Sequence, residues 1–328
     1  MTDGLREAAD VRPCRSLLSV PAGSPALFEK AARSKADAVI LDLEDSVAPD
    51  SKAEARASVI AGLRDVDWGD RIVCLRINAC DTPFMYRDLI DTIEQGGDRL
   101  DAIMIPKVNS PAEVAVADML ASQVEAAVGR QRPLGLEVLI ETAAGLAAVD
   151  AIAAASPRIQ ALHLGLGDFA ASLGARTTVI GGQSSDYGVL SEATDDNRAR
   201  AFHPGDIWHY ALARLLVAAR ALGLRAIDGP YADFRDVEGI TSLARRSAAM
   251  GFDGKWAIHP SQIDPINRCF TPTEAETSRA RAILEAMEAA RRDGRAAVTL
   301  DGRMIDIASI KQAVALIGKV DRISSKEK

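Results

Sequence analysis

LEVLIETAAG, residues 136–145, sets four apolar residues around Glu137, ends on a second acid, Glu141, and continues into a segment of small residues. A continuous apolar run of this length reads as a strand buried on both faces, and the small residues after it read as the start of a helix. An acid where a buried strand stops marks the place where a core gives way to a polar surface.

Similar runs recur at intervals of roughly 20 to 40 residues, each followed by an Ala-rich amphipathic stretch of helical length. They are RSLLSVP (15–21), AVILDLE (38–44), IVCLRIN (72–78), AIMIPKV (102–108), LEVLIE (136–141), ALHLGL (161–166), RAIDG (225–229) and KWAIH (255–259). Eight buried strands alternating with helices favour a closed (β/α)8 TIM barrel over an open doubly wound sheet. The first strand is not followed by a GxGxxG turn, which further disfavours the open dinucleotide-binding arrangement. Between the sixth and seventh strands, residues 181–206 are rich in Gly, Ser and Asp and read as a surface loop or lid, with a helix starting near Ile207. After the eighth strand about 70 residues remain, and they read as two helices, 271–294 and 304–320. The expected organisation is a barrel domain over 1–270 and a C-terminal helical appendage over 271–328.

Composition narrows the function classes. The chain has 328 residues, 48% of them hydrophobic, and a formal net charge of −7, which argues against a nucleic-acid or anionic-membrane binder. No apolar run reaches the ~18 residues of a membrane span, and residues 1–15 lack the apolar core of a signal peptide, so a soluble cytoplasmic protein is expected. Cys14, Cys74, Cys80 and Cys269 show no CxxC spacing and read as small buried hydrophobes rather than a disulfide or zinc framework.

In such a barrel the carboxyl ends of the strands form the active-site face. Those ends carry Asp42, Glu44 and Asp45; Arg76 and Asn78; Lys107; Glu141; Asp168; Asp228; and His259. Glu141 and Asp168 fall at the ends of successive strands, whose axes lie about 5 Å apart. Two carboxylates that close repel each other unless a cation separates them, and an oxygen-only set selects Mg2+ or Mn2+ over Zn2+. The alternative is that each acid pairs with Arg76 or Lys107 in a structural network. The Arg76 guanidinium offers a planar fork for a substrate carboxylate or enolate oxygen, or an ion pair with Glu44 or Asp45, and both can hold at once. Lys107 could form a Schiff base, but the acids around it keep the ammonium charged and block that route. His163 reads as a core histidine, His259 as a residue of the mouth and Trp256 as barrel packing.

Taken in order, RSLLSVPAGSPALFEKA, LDLEDSV, RIN, DTPFMYRDLID, IPKV, IETAAG, GDFAASLGARTT, GKWAIHP and DIASIKQA resemble the HpcH/HpaI aldolase and citrate lyase β-subunit superfamily, and within it the malyl-CoA/β-methylmalyl-CoA lyases most. The likeness runs from Arg15 to Ala313. It implies a Mg2+ ion, or Mn2+, on Glu141 and Asp168, a substrate-contacting arginine at Arg76, and a catalytic aspartate at Asp306. That aspartate would reach a neighbouring subunit's site in a homotrimer or homohexamer; the residues alone equally allow Asp306 as the N-cap of the last helix. It further implies that Lys30, Glu44, Asp45, Ile258 and His259 serve substrate and coenzyme A binding. Where those lyases carry an aromatic and an arginine in the loop after the first strand, this chain has Ser19 and Ser24. The implied activity is reversible Claisen-type cleavage of a 3-hydroxyacyl-CoA such as malyl-CoA to a 2-oxo acid (glyoxylate) and an acyl-CoA. Alternatives are a malyl- or citramalyl-CoA thioesterase and a citrate-lyase β-like subunit using an acyl-carrier thioester.

Overall fold

The computed structural model describes residues 12–177, 179–192, 200–292, 298–300 and 302–326. Contacts divide the chain into two compact units, Cys14–Asn267 and a second that includes Arg268–Lys328.

The first unit is built on eight strands: β1 (Ser16–Pro21), β2 (Ala38–Asp42), β3 (Ile72–Arg76), β4 (Ala102–Ile105), β5 (Gly135–Ile140), β6 (Ile159–Leu164), β7 (Arg225–Asp228) and β8 (Gly254–Ala257). Each pairs in parallel with its neighbours and β8 closes on β1, so the sheet is a barrel without an edge. Side chains alternate along a strand, and one set from all eight strands fills the interior: Leu17, Ile40, Cys74, Met104, Leu139, Ala161, Ile227 and Trp256 are all buried members of one cluster. The other set packs on the helices. There Trp68 lies against Phe28 and Trp208 against Phe169, and each indole N–H donates to a backbone carbonyl, of Gly62 and Gly182 respectively.

The chain chemistry around β5 shows why the loops at the mouth are so tight. Thr142 caps the short helix Ala143–Ala147, its hydroxyl accepting from the Gly145 N–H at 2.9 Å. Gly145 is required there, because a Cβ would stand 2.4 Å from the Val108 carbonyl oxygen. The preceding helix, Pro111–Val128, starts with Pro at its first turn and Glu113 accepting from the Ser110 N–H at 2.8 Å, and stops at Gly129 with φ +70°.

All eight expected strands are present, and in most the apolar reading runs a few residues past the carboxyl end, where the chain has already turned into the mouth. The segment read as loop between the sixth and seventh strands contains an antiparallel pair, Gly188–Leu190 with Phe202–Pro204, and its helix starts at His209. In the second unit the helices are Glu274–Arg292 and Ile307–Lys326. Met304, expected in a helix, lies instead on a hairpin strand, Arg303–Ile305, paired with Val298–Leu300. Three-residue strands are too short to show a period, which is why the pattern missed both pairs. Among the described residues no helix is long and apolar enough to cross a membrane.

Candidate active site

Asp42 and Arg76 are register partners on β2 and β3, and their side chains share a face. The guanidinium grips Asp42 bidentately, Nε to Oδ1 and Nη2 to Oδ2, both at 2.7 Å. Its third nitrogen, Nη1, lies 2.9 Å from Glu44 Oε2 and 3.8 Å from Asp45 Oδ2. Burial opposes the charge on Arg76, but the Asp42 bonds and the acids around it outweigh that and hold the guanidinium firmly protonated. Asp42, buried too, is kept below the usual carboxylate range by that same arginine.

Lys107, at the end of β4, is the one non-glycine with positive φ (+52°) among the described residues. Non-glycine residues hold this conformation at a cost of about 1–3 kcal/mol, which the surroundings must repay. Here the strained turn aims the Lys107 N–H at Glu141 Oε1, 2.9 Å away, while Nζ reaches Glu44 Oε1 at 2.5 Å, Asp45 Oδ1 at 3.0 Å and Asp168 Oδ2 at 3.4 Å. Partial burial works against the ammonium, yet its bonds to Glu44 and Asp45 raise its pKa overall. A Schiff-base lysine needs the opposite shift.

Glu141 is 3% exposed and has no ion-pair partner among the described residues. Burial first, then repulsion by Glu44 and Asp168 against the counter-pull of Arg76, pushes its pKa up to about 8. Gly165 makes room for it: a Cβ there would stand 2.5 Å from Glu141 Oε2. The carboxylate is thus held by one N–H, walled by backbone and short of positive charge. Asp168, more open, stands in the first turn of the helix Leu166–Leu173. Among the described residues no three His, Cys, Asp or Glu side chains are grouped to hold a metal ion. The two-carboxylate set of Glu141 and Asp168 nevertheless fits a hard divalent cation, which takes its remaining ligands from water and substrate oxygens.

These groups open into a cavity of about 400 Å3 at the carboxyl end of the barrel. Its lining combines the charged Asp45, Arg76, Glu141 and Asp168 with Ser19 and the apolar Leu139, Ile180, Pro230, Trp256 and Ile258. The structure therefore brings Glu44, Asp45, Arg76, Glu141, Asp168 and Ile258 of the expected site residues to one place. Lys30 is exposed on the helix Phe28–Ala32 and is not part of the cavity lining. His259 is exposed, stacked on Phe234 with ring centroids 4.6 Å apart and paired with Ser261 at 2.8 Å. Asp306 belongs to the second unit and caps its last helix, accepting from the Ser309 N–H at 2.9 Å. Two strand-end residues prove structural. Asp228 is fully buried against Lys255 (2.7 Å) and Ser247 (2.6 Å), and Asn78 is tied to Asp88. Asp42 as the arginine's partner went unread, although two opposite charges ending adjacent strands were the signal for it.

A closed parallel barrel with a buried arginine and two carboxylates at a cavity on its carboxyl end is the arrangement of a (β/α)8-barrel enzyme. The model of the HpcH/HpaI aldolase/citrate lyase family matches residues 15–260, and the chain belongs to that family. It is 50% identical over 325 residues to an L-malyl-CoA/beta-methylmalyl-CoA lyase of Cereibacter sphaeroides, covering 99% of this chain and 100% of that protein. A (3S)-malyl-CoA thioesterase of the same organism is 34% identical over 97% of this chain and 98% of its own length. Among solved structures, the CitE protein of Mycobacterium tuberculosis in complex with magnesium, acetoacetate and coenzyme A superposes with a TM-score of 0.71 at 31% identity, over 94% of this chain and 98% of that one.

Proposed function

We propose that the protein is a divalent-cation-dependent carbon–carbon lyase that cleaves a 3-hydroxyacyl-CoA such as malyl-CoA or β-methylmalyl-CoA into glyoxylate and an acyl-CoA. The observation that carries this reading is Glu141, a buried carboxylate with no ion-pair partner among the described residues, which shares the cavity lining with Asp168 and Arg76. The likeness to the Cereibacter lyase supports the substrate, and magnesium and coenzyme A in the CitE structure support the cofactor and the thioester.

Glu141 and Asp168 would hold Mg2+ or Mn2+, which would supply Lewis acidity toward the oxygens of the oxo-acid half. The chain's own residues do the rest. Arg76, immobilised by Asp42 and Glu44, faces the oxygens on which charge develops as the bond between the thioester's α carbon and the hydroxyl-bearing carbon breaks. The hydroxyl loses its proton as that carbon becomes the aldehyde of glyoxylate, and the electron pair left on the α carbon takes up a proton to give the acyl-CoA. Asp306 of a neighbouring subunit is the residue for that last transfer, in a homotrimer or homohexamer whose C-terminal units, following barrel domains, cover the sites. Glu44, Asp45, Lys30, Ile258 and His259 are assigned to holding the thioester and its coenzyme A.

The test supplies malyl-CoA and Mg2+ and follows glyoxylate, acetyl-CoA and free CoA separately. Glyoxylate and acetyl-CoA in equal amounts are expected, with activity lost on chelation and in Glu141→Ala. Free CoA without glyoxylate would refute the lyase reading in favour of hydrolysis, the reaction named for the thioesterase relative.

A further inference from the structure

Beneath the cavity the largely apolar barrel interior holds a small polar cluster. Alternation along β5 places Glu137, Leu139 and Glu141 on the inner face in successive layers, with Glu137 lowest. Glu137 accepts from Arg225 Nη2 at 2.9 Å and lies 2.9 Å from His163 Nε2. The other imidazole nitrogen, Nδ1, faces Trp256 Nε1 at 2.9 Å. An indole nitrogen only donates, so Nδ1 must accept; the ring is then neutral with its proton on Nε2, donated to Glu137. Glu137 and His163 are 1% and 0% exposed and lie away from the reacting groups. Trp256, whose plane this chain of bonds fixes, lines the cavity, and the Arg76 guanidinium carbon stands over its ring, 5.6 Å from the centroid.

We propose that Glu137, His163 and Trp256 are positioning residues for Arg76. Asp42 and Glu44 hold the guanidinium from the side, and the indole supports its face. His163 fixes the indole because only the Nε2–H tautomer accepts from it, and Glu137, balanced by Arg225, selects that tautomer. Hydrogen bonds thus run from Glu137 through His163 to the indole, and a cation–π contact links the indole to the arginine at the mouth.

The test uses the full chain labelled with [15N]tryptophan, read by indole N–H correlation spectra and by glyoxylate release from malyl-CoA with Mg2+. Trp256→Phe keeps an aromatic face and removes the N–H, and its missing signal assigns the Trp256 resonance. That resonance is expected to move upfield in His163→Leu and to stay in place in His163→Gln, whose amide can accept from the indole and donate to Glu137. In His163→Leu and Trp256→Phe, kcat is expected to fall about ten-fold with KM changed less than about two-fold, and His163→Gln to recover to within about three-fold of wild type. If His163→Leu does not fold, Trp256→Phe carries the kinetic arm alone. The inference rests on the lyase reading only for turnover, so coupling to Arg76 is also read without it. Arg76→Met is expected to shift the Trp256 resonance in the wild-type background, and the shift should shrink at least two-fold in His163→Gly, or in His163→Leu where that folds. An indole resonance that ignores Arg76, a His163→Leu spectrum identical to wild type, or unchanged kcat in Trp256→Phe of a protein that cleaves malyl-CoA would overturn the proposal.

Discussion

Gly165→Ala places one methyl group against Glu141. The glycine has φ −93°, which alanine adopts without strain, so the substitution acts through space alone. Its Cβ would stand 2.5 Å from Glu141 Oε2 and 2.6 Å from Glu141 Cβ. Ordinary non-bonded separation is about 3.5 Å, so the carboxylate must retreat by about 1 Å. Overpacking of this kind costs about 1–3 kcal/mol of stability, and a misplacement of about 1 Å in a reacting constellation costs about 10²-fold in rate. The assay is glyoxylate release from malyl-CoA across a Mg2+ titration, with thermal melts alongside. The expected result is a folded protein with rate depressed about 10²-fold and half-saturation moved to higher Mg2+. Gly167→Ala serves as comparison, since its Cβ meets only the Ile180 side chain at 3.4 Å, and a much smaller loss is expected. A Gly165→Ala enzyme with wild-type rate and wild-type Mg2+ dependence would refute the idea that the site depends on where Glu141 stands.

Four more outcomes follow from the same geometry. Glu141 has its pKa raised from 4.5 to about 8, so between those values the folded chain keeps a proton that the unfolded chain has released, and ionisation erodes stability as pH climbs through that window. Glu141→Gln should therefore raise the melting temperature in EDTA at pH 8.5 and leave it unchanged at pH 4, and equal gains at both would contradict the assignment. Asp42→Ala removes the bidentate partner of the buried Arg76 and leaves Glu44 as its nearest acid, so it should cost about 3 kcal/mol by chemical denaturation, along with activity. Lys107→Gly relieves the strained φ that Lys107→Ala retains, so the glycine variant should be more stable than the alanine variant by about 1 kcal/mol in urea melts, while both lose Mg2+-dependent activity. Asp306→Ala should lower stability by about 1 kcal/mol through the lost helix cap, and Asp306→Asn, which caps as well, should keep stability and still lose kcat if the carboxylate carries the proton.

Much of this molecule can be read before it is seen, because a strand buried on both faces writes a continuous apolar run and a βα barrel repeats it eight times. The mouth was legible for a related reason: polar residues directly after such runs have nowhere to go but the barrel's carboxyl end, which is how Arg76, Lys107, Glu141 and Asp168 came together. Asp228 misled because inward and outward positions alternate residue by residue, and a shift of one sends a strand-end acid to the helices, where Lys255 neutralises it. The contacts that join distant strands were beyond a linear reading. Nothing in the run ALHLGL says that His163 faces Glu137 of the preceding strand and the indole of Trp256, which lies 93 residues further on.

That interior layer bears on how such a catalyst changes over time. A greasy barrel core accepts one aliphatic for another, but Glu137, His163, Arg225 and Trp256 form a circuit in which each member's partner is already specified. Replacing a member by a residue that cannot restore its bonds leaves buried neighbours unpaired. New substrates are therefore to be sought through the cavity's rim, at Ser19, Ile180 or Ile258, where a library can vary side chains without touching the wiring underneath.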